Sequence, residues 1–168
     1  LPIFNDSDWD CTLEPLPGGH MALRLGFRQV KGLKEMEVQT LTNVRENRGF
    51  PSIDDLWRRT DLSKVALERL ARADAFISLG FDRRQALWAV KGLDDTPLPL
   101  FQNLNDPRQE PSVTLPPIPL GENVAEDYSV LALSLKEHPL ALLRGELAER
   151  CYRTSDCLKI LPHGRRVR

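Results

Sequence analysis

Residues 25–44, LGFRQVKGLKEMEVQTLTNV, decide how the chain is read. An apolar segment runs into Val30-Lys31-Gly32-Leu33, and helix periodicity follows at once, with Val38, Leu41 and Val44 on one face. Glycine at such a junction lets the backbone turn tightly, and the first turn of the next helix carries N–H groups without intrahelical acceptors. With Lys31 and Lys34 beside it, the turn reads as an anion site at a helix N-terminus.

Working outward, residues 1–14 are short and acidic and end in a strand-like Cys11-Thr12-Leu13. Pro17-Gly18-Gly19-His20 is a turn signal, and strand-like alternation resumes from Met21 to Leu25, so a β-hairpin should lead into the Gly32 turn. Downstream, Ser52 with Asp55, Ser63, and Asp82 with Gln85 are N-cap signals for three further short helices, the last closed by Lys91-Gly92. The stretch Leu79-Gly80-Phe81-Asp82-Arg83-Arg84 loosely repeats the first turn: an apolar residue, a glycine, then a helix with basic residues at its start. Two helix-hairpin-helix units packed together would present both turns on one side. The same pattern fits a small helical bundle whose glycines only cap helices, and pattern alone leaves both readings standing.

On the first reading the anion-binding candidates are Lys31, Gly32, Lys34, Gly80, Arg83 and Arg84, with Arg28 and Lys91 as secondary candidates. Positive side chains at a helix N-terminus oppose the helix dipole, which favours an external anion there over a merely solvated helix end.

Residues 94–120 hold seven of the 13 prolines and read as a linker or extended arm. Within it Leu98, Leu100 and Phe101 make an apolar patch that would dock on a partner or pin the arm to its own domain. Helix periodicity returns after Gly121, with Val124, Tyr128, Leu131 and Leu135 on one face. Pro139 suits the first turn of a second helix running through Leu147, and Ser155 caps a short third one. Pro162-His163-Gly164 is a turn, and residues 165–168 look like the start of a strand.

The 168 residues are 41% hydrophobic and 28% charged, a composition that folds. No apolar run approaches a membrane span and no signal peptide is present, so a cytoplasmic protein without membrane partners is expected. The first residues are Leu-Pro without methionine, and a piece of a longer protein is expected. Three cysteines without C-x-x-C spacing suggest reduced thiols. The net charge of −1 is unevenly spread: residues 1–19 hold four acids and no bases, whereas residues 20–93 hold 14 Lys/Arg against 9 Asp/Glu. A basic middle suits a local phosphate-binding surface.

Sequence motifs of catalysis are missing: no nucleophile elbow, phosphate loop or H-E-x-x-H occurs. Cys151, Cys157 and His163 match no strong zinc spacing, and Asp6, Asp8 and Asp10 lack the glycine and glutamate of a calcium loop. A solvated acidic surface is the plainer reading of those aspartates, and no catalytic residue, metal or cofactor is assigned.

Several segments in fixed order resemble bacterial C-family DNA polymerases, the family of the polymerase III alpha subunit, and most of all its error-prone, damage-induced ImuC-type branch. They are residues 7–14 (SDWDCTLE), 22–33 (ALRLGFRQVKGL), 67–76 (LERLARADAF), 79–93 (LGFDRRQALWAVKGL), 98–101 (LPLF) and 134–144 (SLKEHPLALLR). The resemblance implies a mainly α fold. Residues 1–20 would end the fingers region, 21–93 form a tandem helix-hairpin-helix DNA-binding domain with its short β-hairpin, 94–120 a Pro-rich linker or arm, and 121–164 a helical connector, with 165–168 opening an OB-fold not included. It implies primer-template duplex DNA as partner, together with accessory proteins of the mutagenesis complex. The catalytic aspartates and their Mg2+ would lie in a palm domain outside this sequence, in a parent nucleotidyltransferase acting in translesion synthesis. Replicative members carry a Gln-initiated clamp motif ending in Leu-Phe. Here Thr96-Pro97 precedes Leu98-Pro99-Leu100-Phe101, so sliding-clamp binding should be weak or indirect. The equivalent replicative segment, or an interaction module touching DNA little, are the alternatives.

Overall fold

The computed structural model describes residues 2–45, 48–93, 115–164 and 166. Among them are one two-stranded sheet and seven α-helices, so the fold is mainly α, as expected. Strands β1 (Thr12–Pro15) and β2 (Met21–Arg24) pair antiparallel with Leu13 opposite Leu23, and Gly18 and Gly19 in the connecting turn both have positive φ. A 3-10 turn at Phe27–Gln29 then leads through Gly32 into α1 (Glu35–Arg45). Helices α2 (Ile53–Thr60), α3 (Lys64–Arg72) and α4 (Arg83–Lys91) follow with tight joints.

The caps sit where local chemistry asks for them. The Ser52 hydroxyl accepts from the Asp55 N–H and the Ser63 hydroxyl from the Ala66 N–H. Asp82 and Gln85 form a reciprocal capping box at the start of α4. Each satisfies donors that a helix end otherwise leaves unpaired.

The core is built on phenylalanines drawn from distant parts of the chain. Phe4, Phe27, Phe50 and Phe76 are fully enclosed, and the Phe4 ring lies 5.1 Å from that of Phe76 and 6.1 Å from that of Phe50. Asn5 bonds both the N–H and the carbonyl of Phe50, while Arg45 donates to the carbonyls of Phe4 and Ser7 and pairs with Asp8. The acidic N-terminal segment is thereby strapped to the basic helices behind it. Gly26 permits the closest crossing: a Cβ there would lie 2.4 Å from backbone atoms of Trp9 and Asp10.

Helix α5 (Leu120–Leu131) lies against this core, with Val130 and Leu131 inside it. The first part of the expected connector is thus continuous with the helix-hairpin-helix core. Beyond it, α6 (Pro139–Leu142) and α7 (Arg144–Glu149) replace the single helix expected through Leu147, because the chain bends at Leu143 (φ −92°, ψ 0°). His138 caps α6 through its ring nitrogen, and a 3-10 segment spans Ser155–Ile160. The apolar patch of Leu98, Leu100 and Phe101 lies outside the described residues, as do Arg165, Val167 and Arg168 at the expected start of the OB-fold.

Candidate nucleic-acid interface

Both expected turns exist with the backbone that glycine allows: Gly32 has φ +83° and Gly80 φ +80°. Leu33, next to the first glycine, is buried, which fixes the turn to the core, while Lys31, Gly32 and Lys34 remain exposed. Among the described residues neither Lys31 nor Lys34 has a carboxylate ion-pair partner.

The backbone donors of this first turn are partly committed. The Lys31 N–H donates to the Val130 carbonyl of α5 at 2.9 Å, and the Lys34 N–H donates to the Glu37 carboxylate at 2.9 Å. Glu35 and Glu37 occupy the first turn of α1, where their charge already complements the helix dipole. These glutamates, one turn beyond the lysines, offset the positive charge that the sequence places at the turn. From α3, Arg69 reaches across and donates to the Gly32 carbonyl at 2.5 Å.

At the second turn Gly80 is exposed, with open space where a Cβ would stand. The capping box occupies the Asp82 and Gln85 N–H groups. Those of Arg83 and Arg84 have no protein acceptor among the described residues.

Arg83 requires a correction: it is only 2% exposed, and its guanidinium is bonded by the Asp127 carboxylate and donates to the Asn123 carbonyl at 3.0 Å. Its Nε has no partner and is sealed from solvent. A side chain so enclosed cannot reach a phosphate, and its charge serves to hold α5. Arg84 also turns toward the C-terminal segment, donating to the Pro116 carbonyl at 3.0 Å and approaching Glu122 at 3.8 Å. Arg28 pairs with Asp10 at 2.6 Å on the surface, a contact worth little that an anion could replace. Lys91 is exposed at the far end of α4 from the Gly80 turn.

The charges behind the interface form a closed group. Asp127 is fully buried between Arg83 and Lys136, and Asp74 (6% exposed) receives Lys136 at 2.8 Å. Burial pushes the Asp127 carboxyl up, but hydrogen bonds from Arg83, Ser134 and Lys136 outweigh it and hold the group below its ordinary value of 3.8. Along α5, Asn123 and Asp127 hold the helix after the second turn and Val130 holds the first turn. One helix, α5, thus contacts both the first turn and the helix that follows the second. No periodicity in the sequence marks this role, since the pairings join residues some 40 to 100 positions apart.

Among the described residues no three His, Cys, Asp or Glu side chains converge as metal ligands would. Nor is any helix there long and apolar enough to cross a membrane. Exposed Lys31 and Lys34 beside the Gly32 turn, free of carboxylate ion-pair partners among the described residues, give an arrangement that can position a polyanion.

Comparison with known proteins agrees with the geometry. The family model described as a helix-hairpin-helix motif matches residues 1–86. Error-prone DNA polymerase 2 of Agrobacterium fabrum is 48% identical over 87% of this chain. Error-prone DNA polymerase 1 of Rhizobium meliloti is 43% identical over 99% of it, and the error-prone DNA polymerase of Ruegeria pomeroyi 48% over 83%. The chain spans only 14%, 17% and 13% of those proteins respectively.

Proposed function

Because this chain belongs to the helix-hairpin-helix family and is homologous over most of its length to error-prone DNA polymerases, we propose that it grips duplex DNA for such a polymerase during damage-induced translesion synthesis. The observation that carries the reading is the Gly32 turn, which is fixed by buried Leu33 and flanked by exposed Lys31 and Lys34 without carboxylate partners among the described residues. Charges and N–H groups so placed contact phosphates and leave base edges unread, which is what a sequence-independent polymerase requires. The first turn carries most of the contact. The second contributes Gly80 and the free N–H groups of Arg83 and Arg84, and not the Arg83 side chain. Nucleotidyl transfer and its Mg2+ belong to another region of the polymerase, in the cytoplasm. Recruitment runs through accessory proteins, with clamp binding by Leu98, Leu100 and Phe101 weak or indirect.

A second reading, a protein-interaction module with little DNA contact, is favoured by one observation: Leu13, Met21 and Leu23 stand 56–65% exposed on the β-hairpin. Fluorescence anisotropy with primer-template DNA at graded salt separates the two. Duplex gripping requires affinity that falls steeply with salt and is lost on Lys31→Glu/Lys34→Glu. Binding indifferent to that charge reversal would favour the interaction module.

A further inference from the structure

Between residues 20 and 93, every described arginine except Arg69 has a carboxylate within ion-pair distance. Arg69 is instead held by a neutral group, donating from Nη1 to the Gly32 carbonyl at 2.5 Å. Its guanidinium lies against the glycine: a Cβ at Gly32 would meet Nε at 3.2 Å, Cζ at 3.3 Å and Nη2 at 3.5 Å. Nε and Nη2 themselves have no acceptor among the described residues. An arginine with one nitrogen anchored and its remaining donors unused has already lost its rotamer freedom and keeps its full charge.

The local balance of charge sharpens the point. Lys31 and Lys34 are offset by Glu35 and Glu37 one turn on, and the Glu37 carboxylate takes the Lys34 N–H. Without a further cation the first turn is neutral. Arg69, from the other side of the turn, supplies the net positive charge.

We propose that Arg69 is the principal phosphate-binding side chain of the first hairpin, and that Gly32 is required both for its positive φ and for the room in which the Arg69 guanidinium sits. The proposal rests on the duplex-gripping reading. One phosphate of the duplex backbone would take the Nε–H and Nη2–H donors as a charge-assisted pair while Nη1 stays on the Gly32 carbonyl. Arg69 lies on α3, so the contact would join α3 to the phosphate held at the first turn.

The test measures binding of a fluorescein-labelled primer-template duplex to the 168-residue chain between about 50 and 200 mM salt. Arg69→Gln should weaken binding roughly tenfold, a lost hydrogen bond to a charged group, and lower the salt slope by about one unit. Arg69→Lys, which keeps the charge without the fork, should restore the slope while leaving affinity reduced. Arg58→Gln, on an exposed arginine paired with Asp54 at 3.0 Å, should change neither. An unchanged slope in Arg69→Gln, or a slope equally low in Arg69→Lys, makes Arg69 a strut for the turn and overturns the proposal. An unsubstituted chain whose binding is absent or indifferent to salt overturns the duplex reading itself, an outcome distinct from either.

Discussion

Gly32 and Gly80 share one backbone conformation and differ in what surrounds them. Alanine at either position must take a positive φ, at about 1–2 kcal/mol. At Gly80 that strain is the whole effect, because nothing stands within 4 Å, whereas at Gly32 the methyl group also displaces Arg69. We expect Gly32→Ala and Gly80→Ala to lower the urea midpoint similarly, and only Gly32→Ala to reduce the salt slope of DNA binding. Gly26 is a third case, with an ordinary negative φ and no turn signal. Its Cβ would collide with the backbone of Trp9 and Asp10 at 2.4 Å, so Gly26→Ala should cost about 3 kcal/mol in thermal or urea unfolding. The requirement at Gly32 was legible from the apolar-glycine-helix junction. That at Gly26 was not, because its cause is the backbone of Trp9 and Asp10, a segment ahead of β1 that only the fold brings against it.

The helices divide between those specified by their own ends and one specified by its neighbours. Helices α2, α3 and α4 each begin at the Ser or Asp that the sequence offered as a cap, because capping joins residues three apart and needs no tertiary partner. Asp82→Ala should therefore cost about 1 kcal/mol, read as a lower urea midpoint with m unchanged. Helix α5 has no side-chain cap and gains its place from Arg83, Lys136 and the Lys31 N–H. Asp127→Asn leaves Arg83 and Lys136 with Asp74 as their shared carboxylate, 3.9 Å from buried Arg83, and we expect a loss of about 3 kcal/mol. The same substitution should speed hydrogen exchange at the Lys31 amide, since that amide's acceptor is Val130 on the same helix. The expectation that basic residues at both helix starts face DNA failed at Arg83 for this reason: sequence shows a charge at an N-terminus, and only packing shows that a buried carboxylate has claimed it.

At the scale of the molecule, the buried charge group makes acid sensitivity an expected property. Asp127 is held below its ordinary value of 3.8, so its contribution to stability is complete at pH values above 3.8. It is lost as pH falls below 3.8 through the native value, where protonation removes one of the two carboxylates that Arg83 and Lys136 share. Circular dichroism against pH should show acid unfolding of the unsubstituted chain whose pH dependence in this window is reduced in Asp127→Asn. The sequence by itself determined what depends on neighbours along the chain: the β-hairpin, the capped helices, the two turn glycines Gly32 and Gly80, and the basic stretch 20–93. Its segments also carried the family resemblance. Tertiary structure alone decided which cations stay available to an anion. Whether an arginine faces solvent depends on carboxylates and carbonyls brought to it from far along the chain, as Asp127 is to Arg83 from 44 residues away and Gly32 to Arg69 from 37. Pairings of that range leave no period in the sequence, because periodicity records neighbours within one element and these partners lie on different ones.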